Sequence, residues 1–339
     1  MQDLQDVTPT LATVARLANV SLASASRVLN GIKTNPETWR RVTEAAEAVG
    51  YVPNAAARTL RSRRTGQIAF AMPDVANPVY TTMVGSIAQV ARAGGSRLIL
   101  HSTDGDPGDE LSFIEDLKQR YVDGLVLVSI DFTPAHAEAI AGAAVPVALL
   151  GNPPEGTKVD TVRANSGHGA TEAVKHLHAG GRRRIAFVNG PEHTAPGSAR
   201  RRGYLQGLRA CALERVDGLV EVGSDFTVDA GREAAARLLD RVTPDAIFCA
   251  NDLIALGALD VLRTRGLDVP RDVALVGMDD TTFARVTSPT LTSVDLGGAE
   301  RARIAAQLLL ARIDQPKRRT RALAVEPKLV VRESSGAPR

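Results

Sequence analysis

Cysteine is scarce: Cys211 and Cys249 are the only two in 339 residues, and they sit in unrelated contexts. That excludes a disulfide framework and predicts two reduced thiols. No apolar run approaches the roughly 20 residues that a membrane span requires, so no membrane partner is expected. The first ten residues are polar and include Asp3 and Asp6, unlike a secretory leader, which predicts a cytoplasmic protein. The six histidines form no ligand set. His176 and His178 lie two apart on a helical stretch and point to different faces, which argues against a metal site. No Gly-x-Gly-x-x-Gly follows the first strand-like segment and no phosphate-loop lysine motif is present, so the usual nucleotide cofactors are excluded. No nucleophile elbow or other catalytic constellation is in view, and neither enzyme activity nor a cofactor is expected. What remains is ordinary globular composition, 44% hydrophobic and 23% charged, in a chain long enough for a large core and more than one domain.

The first fifty residues carry the strongest local signal. Leu11, Val14, Ala15 and Ala18 fall on one helical face, with Thr10 placed as N-cap. A tight turn follows, and Ser21 is placed to cap a second helix over 22–30. Ala25, Val28 and Leu29 form its apolar side, leaving Ser24, Ser26, Arg27 and Asn30 on other faces. Asn35-Pro36-Glu37-Thr38 announces a third helix: an N-cap, a proline at the first position, and an acid in the first turn. Val42, Ala45, Ala46 and Val49 close a small core and Gly50 ends the helix. Two short helices with a turn, the second rich in small and polar residues, form the helix-turn-helix pattern, whose second helix enters a DNA major groove.

Charge divides the same way. Residues 8–65 hold nine Arg or Lys against three acids, a net +6, whereas the whole chain carries +3. A basic head on a mildly acidic body fits a polyanionic partner for the head alone.

From Gly66 onward, short apolar runs alternate with amphipathic stretches. Strands are expected at 68–72, 97–101, 125–129, 147–150, 185–189, 246–250 and 273–277. Helices are expected at 80–93, 109–120, 167–179, 199–211, 228–240, 252–265 and 298–313. Alternation on this scale predicts parallel sheets with helices on both faces. It occurs twice, over 66–162 and 163–290. Segments near 289–294 and 323–326 are expected to cross between the two sets.

The stretch from Val20-Ser21 through Arg27-Val28-Leu29-Asn30, followed by Tyr51-Val52-Pro53-Asn54-Ala55-Ala56-Ala57-Arg58-Thr59-Leu60, resembles the lactose repressor/galactose repressor family of transcription factors. The resemblance runs nearly the full chain. It implies an α/β protein with three parts. A lambda-repressor-like helix-turn-helix domain spans 8–53. A hinge helix and linker span 54–65. A two-lobed periplasmic-binding-protein-like effector and dimerisation domain spans 66–335. Lobe 1 is expected over about 66–162 and 294–323, and lobe 2 over about 163–290 and 326–335. In that family the hinge helix folds on operator binding, with a leucine, here Leu60, wedged into the minor groove and a small residue, here Ala57, at the contact between paired hinges. Leu22, Ala23, Ser24 and Arg27 would then address the major groove, joined on the DNA side by Leu11, Ser26 and Asn30. Thr10, Ser21, Asn35, Thr38, Tyr51 and Asn54 would position the head on phosphates. Leu22 and Ala23 have no hydrogen-bonding groups, so apolar contact, as with thymine methyls, is expected there.

The resemblance also implies a ligand cleft between the lobes, beyond the carboxyl ends of the strands. Matched residue by residue, its walls are Asn77, Tyr80, Ser129, Arg200, Phe226, Asn251 and Asp279. Val79 departs from the family pattern, which carries a second aromatic there. Asp, Asn and Arg around aromatic faces suit a sugar or sugar-like effector. Asn251 and Asp252 are also placed to cap the following helix, and either Asp279 or Asp280 to order a loop. The implied function is a ligand-responsive regulator, a repressor acting as a homodimer on double-stranded, pseudo-palindromic operator DNA. No heptad helix of the kind that makes tetramers follows Val331. A sugar-binding protein of the same two-lobed fold without a regulatory role would need a secretion signal and no DNA-binding head.

Overall fold

The computed structural model describes residues 9–52 and 64–336. It divides into two compact units, Met1–Thr65 and Gly66–Arg339. Asn54, Ala57 and Leu60 lie outside the described residues.

In the first unit, α1 (Leu11–Leu17), α2 (Leu22–Leu29) and α3 (Pro36–Ala48) follow the expected caps. The Thr10 hydroxyl accepts from the Thr13 amide, and Thr13 reciprocates at the Thr10 amide. Ser21 Oγ accepts from the Ser24 amide, and Asn35 Oδ1 from the Glu37 amide. Each bond satisfies a backbone donor that the first helical turn leaves without an intrahelical partner. The turn between α1 and α2 places Asn19 at φ 47°, a left-handed position that Asn tolerates. Val14, Ala15, Ala18, Ala25, Val28, Val42, Ala45 and Ala46 form the core. The Arg41 guanidinium ties α3 to the turn through the Ala18 and Asn19 carbonyls.

The second unit opens with β1 (Gln67–Met72), α4 (Pro78–Ala93), β2 (Arg97–Ser102), α5 (Pro107–Asp116), β3 (Leu125–Val128), α6 (Pro134–Ala141), β4 (Val147–Leu150) and β5 (Asp160–Ala164). It continues with α7 (Ser166–Ala179), β6 (Ile185–Asn189), α8 (Ala195–Ala210), β7 (Val220–Val222), α9 (Val228–Arg241), β8 (Ala246–Cys249), α10 (Asp252–Thr264), β9 (Ala274–Met278), α11 (Thr282–Val286) and β10 (Thr292–Asp295). The chain closes with α12 (Gly298–Asp314), β11 (Ala322–Val325) and β12 (Lys328–Val330). Two six-stranded sheets result, ordered β11-β5-β4-β3-β1-β2 and β12-β10-β9-β8-β6-β7. Pairing is parallel except between β10 and β12. Central strands are buried along their whole length, as expected where helices cover both faces.

The chain passes between the sheets three times: after β5, after β10 and after β11. The segment 289–294, expected as a crossover, instead delivers β10, an inner strand of the second sheet. Its polar Thr292 and Ser293 are buried and hydrogen-bonded, to Arg332 and Asp252 among others, so no apolar run marked it. The other expected crossover, 323–326, is mostly β11, an exposed edge strand paired to β5. Strand β5 escaped notice because Asp160, Thr161 and Arg163 interrupt its pattern. Asp160 accepts from Arg312 Nε (2.6 Å) and Arg318 Nη2 (2.7 Å), which pins the end of α12 and the approach to β11 against the first sheet.

The second lobe is centred on an aromatic stack. Phe187 lies 5.0 Å from both Tyr204 and Phe248, and the Tyr204 hydroxyl donates to the Ile185 carbonyl at 2.8 Å. Helices α7 and α8 cross without a side chain between them at Gly203, where a Cβ would stand 2.0 Å from the Gly167 carbonyl oxygen. Gly203→Ala is therefore expected to destabilise the second unit by about 1–3 kcal/mol, since overpacking forces backbone displacement. It should also weaken ligand binding, because α8 carries Arg200. Urea unfolding with an unchanged midpoint would contradict this contact.

Candidate ligand cleft and nucleic-acid interface

The head presents a polar and apolar surface around α2. Thr10, Ser21, Leu22, Ala23, Arg27, Asn30 and Asn35 are exposed, and Leu11, Ser24, Thr38 and Tyr51 are half-buried. Leu22 keeps 54% of its surface accessible at the first helical position of α2, directly after the capping Ser21. Leu11 packs partly on the core.

Ser26 corrects the expectation drawn from sequence. It is buried, and its hydroxyl accepts from Asn30 Nδ2 at 3.2 Å. Three residues before Leu29, it shares the core-facing side of α2 and cannot face a groove. Asn30 folds its amide back onto the Ser26 carbonyl (2.6 Å) and caps the helix. Among the expected cations, Arg41 is committed to the turn and Arg40 to Glu44 (3.0 Å), while Arg27 is exposed on α2 itself.

In the second unit the carboxyl ends of the two sheets enclose a cavity of about 340 Å³. All seven residues expected at the cleft line it: Asn77, Tyr80, Ser129, Arg200, Phe226, Asn251 and Asp279. Their states differ. Asn77 caps α4, its Oδ1 accepting from the Val79 amide. Asn251 has both ends of its amide engaged, Oδ1 with the Ile254 amide (2.8 Å) and Nδ2 with the Phe226 carbonyl (2.9 Å). It therefore shapes the wall and holds Phe226 in place, the capping role the sequence also allowed. The Phe226 ring rests over Gly190, where a Cβ would intrude to 2.3 Å. Ser129 Oγ is buried with no hydrogen-bond partner among the described residues.

Arg200 is 7% exposed. Its guanidinium carbon lies 5.5 Å from the Phe226 ring centroid, and Nη2 stands 3.7 Å from Asp279 Oδ1. That distance is a charge contact and not a hydrogen bond. Burial raises the Asp279 carboxyl above its ordinary range, against the pull of Arg200 and Arg301. Burial likewise raises the Tyr80 phenol, with Asp279 acting in the same direction. Arg301, on the first turn of α12, also lines the cavity and was missed in the sequence. Its register was the available signal. Arg301 occupies the core-facing side of an amphipathic helix, four residues before Ala305 and seven before Leu308, both buried.

Asp279 is held in an unusual backbone conformation. Its φ is 103° and that of Asp280 is 47°, left-handed values that cost energy in non-glycine residues and persist only where the surroundings enforce them. Asp252 does so from below. It is fully buried, with Oδ2 accepting from the amide and hydroxyl of Thr281 (2.7 and 2.8 Å) and Oδ1 from Ser293 Oγ (2.6 Å). Ser293 Oγ in turn accepts from the Asp280 amide at 3.0 Å. Asp280 itself turns away to Arg332 (2.6 Å), so it orders the loop and leaves Asp279 to the cleft. Arg201 pairs with Glu192. Among the described residues no group of three His, Cys, Asp or Glu is placed to hold a metal, and no helix is long and apolar enough to cross a membrane.

A capped helix-turn-helix and a two-lobed body with a polar-floored cleft define a regulator that binds DNA and answers to a small ligand. Residues 10–54 match the bacterial regulatory proteins of the lacI family, and residues 174–335 match the periplasmic binding protein-like domain. The chain is 37% identical over 341 residues to the HTH-type transcriptional regulator CelR of Thermobifida fusca, covering 96% of this chain and 98% of that one. It is 32% identical over 335 residues to the HTH-type transcriptional regulator DegA of Bacillus subtilis strain 168, covering 96% and 98%. The solved structure described as a transcriptional regulator CelR-cellobiose complex shares 35% identity and a TM-score of 0.73, over 96% of this chain and 99% of that one. The chain belongs to the lacI family and is a DNA-binding transcriptional regulator.

Burial, and after it the charge of Asp279, pushes the Asp252 carboxyl up to about 7 from its ordinary 3.8. The folded state thus holds this proton more tightly than the unfolded chain does. The associated stability is complete below about pH 4 and is lost as pH rises through about 7. Asp252→Asn cannot titrate, so the melting temperature of the unaltered protein minus that of the variant should fall between pH 4 and pH 8. A difference that stays flat across that interval would show that Asp252 ionises as freely when folded as when unfolded.

Proposed function

We propose that the protein is a repressor of genes for carbohydrate or related small-metabolite use, acting as a homodimer on a two-fold symmetric operator under control of a polyol effector held in the cleft. The observation that carries this is the pairing, in one chain, of an exposed recognition helix with a cavity floored by Arg200, Asp279 and Phe226. A guanidinium beside a carboxylate and an aromatic face is the chemistry that captures vicinal hydroxyls and sugar rings. The volume of about 340 Å³ lies at the lower end of the range for small-molecule sites. The CelR relative is solved with cellobiose, a sugar, which supports the same ligand class here.

Homodimerisation is supported by apolar side chains exposed on the second unit: Val75, Leu100 on edge strand β2, and Phe283 and Val286 on α11. Val286 keeps 69% of its surface accessible. A dimer would cover such residues, and its symmetry would impose a palindromic operator. Control follows as a population shift. The effector binds one arrangement of the lobes more tightly than the other, and the head's grip on DNA follows that arrangement.

On the DNA side, Leu22, Ala23, Ser24 and Arg27 address bases, while Thr10, Leu11, Ser21, Asn30, Asn35, Thr38 and Tyr51 serve positioning and packing at the backbone. Asn54, Ala57 and Leu60 keep the hinge role that the family resemblance gives them. A selected palindromic duplex, titrated by fluorescence anisotropy over a salt series, tests this reading. Arg27→Ala should weaken operator binding by about 1–3 kcal/mol and relax preference at one base position. Leu60→Ala should weaken it sharply while leaving ligand-induced stabilisation unchanged. Full-strength operator binding by both variants would remove the proposed contacts.

A further inference from the structure

Two guanidiniums buried at the cleft make no hydrogen bond to a carboxylate among the described residues. Arg200 reaches it from α8 in one lobe and Arg301 from α12 in the other, 7% and 8% exposed. Asp279 is the buried acid among the lining residues. It stands 3.7 Å from Arg200, and among the described residues Arg301 has no carboxylate in ion-pair contact. The Arg301 hydrogen bond runs from Nε to the Leu296 carbonyl at 3.0 Å, which leaves the two Nη groups to the cavity. Arg200 Nε and Ser129 Oγ are buried without a partner.

Such an arrangement needs a reason. Buried charges are ordinarily paired, because desolvation penalises each one, yet among the described residues neither guanidinium has a carboxylate within hydrogen-bonding distance: Asp279 stands 3.7 Å from Arg200, and half-buried Asp295, whose Oδ1 accepts from the Gly297 amide at 2.7 Å, makes no ion pair with Arg301. Arg301 also sits on the core side of α12 among Ala302, Ala305 and Leu309, where a leucine would pack with less cost. Burial, with Arg200 beside it, lowers the affinity of Arg301 for its proton, against the pull of Asp279, Tyr80 and Asp295. The other lining acids do not answer this charge. Asp104 and Asp225 are exposed at the mouth, where water and salt screen them. Asp74 is half-buried and accepts from the Ala76 amide at 2.7 Å.

We propose that the effector is a polyol carrying one oxyanion, a carboxylate or a phosphate, and that the oxyanion sits between Arg200 and Arg301, one guanidinium from each lobe. This rests on the reading of the cleft as the effector site and narrows its ligand class. The hydroxylated part of the ligand points to the mouth, where Asp104 and Asp225 accept hydrogen bonds from its hydroxyls. A single anion shared by guanidiniums from opposite lobes favours the arrangement in which both reach it, which is the differential affinity that a switch requires.

The test uses the full chain, with Arg301→Leu, Arg301→Lys and Arg200→Ala beside it. Melting temperature and calorimetric affinity are measured with inorganic phosphate, glucose 6-phosphate, glucuronate and glucose, at millimolar concentration and ionic strength matched with chloride. At such concentrations the general salting-out effect of phosphate is small and common to all variants. The expected result is binding of at least one oxyanion-bearing probe tenfold or more tighter than glucose. That preference should be lost in Arg301→Leu and partly kept in Arg301→Lys, while ligand-free Arg301→Leu melts no lower than the unaltered protein. Glucose 6-phosphate against glucuronate tells phosphate from carboxylate. The proposal is overturned if no oxyanion probe is preferred over glucose, if the preference survives Arg301→Leu, or if ligand-free Arg301→Leu melts lower. Glucose bound without preference for the acids, but lost in Arg200→Ala, would overturn this inference and leave the cleft as effector site. Binding that is indifferent to Arg200→Ala would overturn both.

Discussion

A buried carboxylate must find a cation or give up its charge, and this constraint organises the cleft. Asp279 lies just past the end of β9, its side chain largely buried and opposite Arg200 across 3.7 Å. Neither side chain could be placed there by its own helix or strand alone. Asp279 depends on a left-handed backbone that Asp252, Thr281 and Ser293 enforce through short hydrogen bonds. Arg200 depends on α8, which Gly203 allows to lie directly on α7. Polar satisfaction inside the second lobe thus fixes the geometry of the site.

The same constraint reaches across the cleft. Arg301 belongs to α12, which packs on the first sheet, yet its charge is felt at Asp279 on the second. The three crossovers that join the lobes carry few residues each, the kind of connection at which hinge changes are absorbed in two-lobed proteins. A ligand that bridges groups from both lobes has different affinities for different arrangements of them. That difference is the free energy available for regulation in a lacI-family protein, and no ligand can shift the equilibrium by more.

Much of this was legible before the structure, and the exceptions share a cause. The caps Thr10, Ser21 and Asn35 are local hydrogen-bonding devices, so sequence spacing alone places them. The strands of the two sheet centres are uninterrupted apolar runs and were read within a residue or so at either end. Strands β5 and β10 were missed because their buried residues are polar and satisfied by distant partners, Asp160 by Arg312 and Arg318, Ser293 by Asp252. Such pairings span tens to hundreds of residues and leave no periodic trace. Ser26 was assigned to the DNA side for the converse reason: a hydroxyl suggests solvent, but its place on α2 and the Asn30 amide put it inside. The seven cleft residues were found together through family resemblance and the rule that ligands sit beyond strand ends. Arg301 was not, because an arginine on an amphipathic helix reads as surface until its register is compared with its buried neighbours.

The central claim is that the cleft and the DNA-binding head are thermodynamically linked within one chain. It is tested most directly by measuring operator affinity with and without a cleft-binding ligand, and ligand affinity with and without operator, in the same buffer. Linkage requires the two ratios to be equal and to differ from one, with a factor of roughly five or more for a working switch. An operator affinity that the bound ligand leaves unchanged would contradict it.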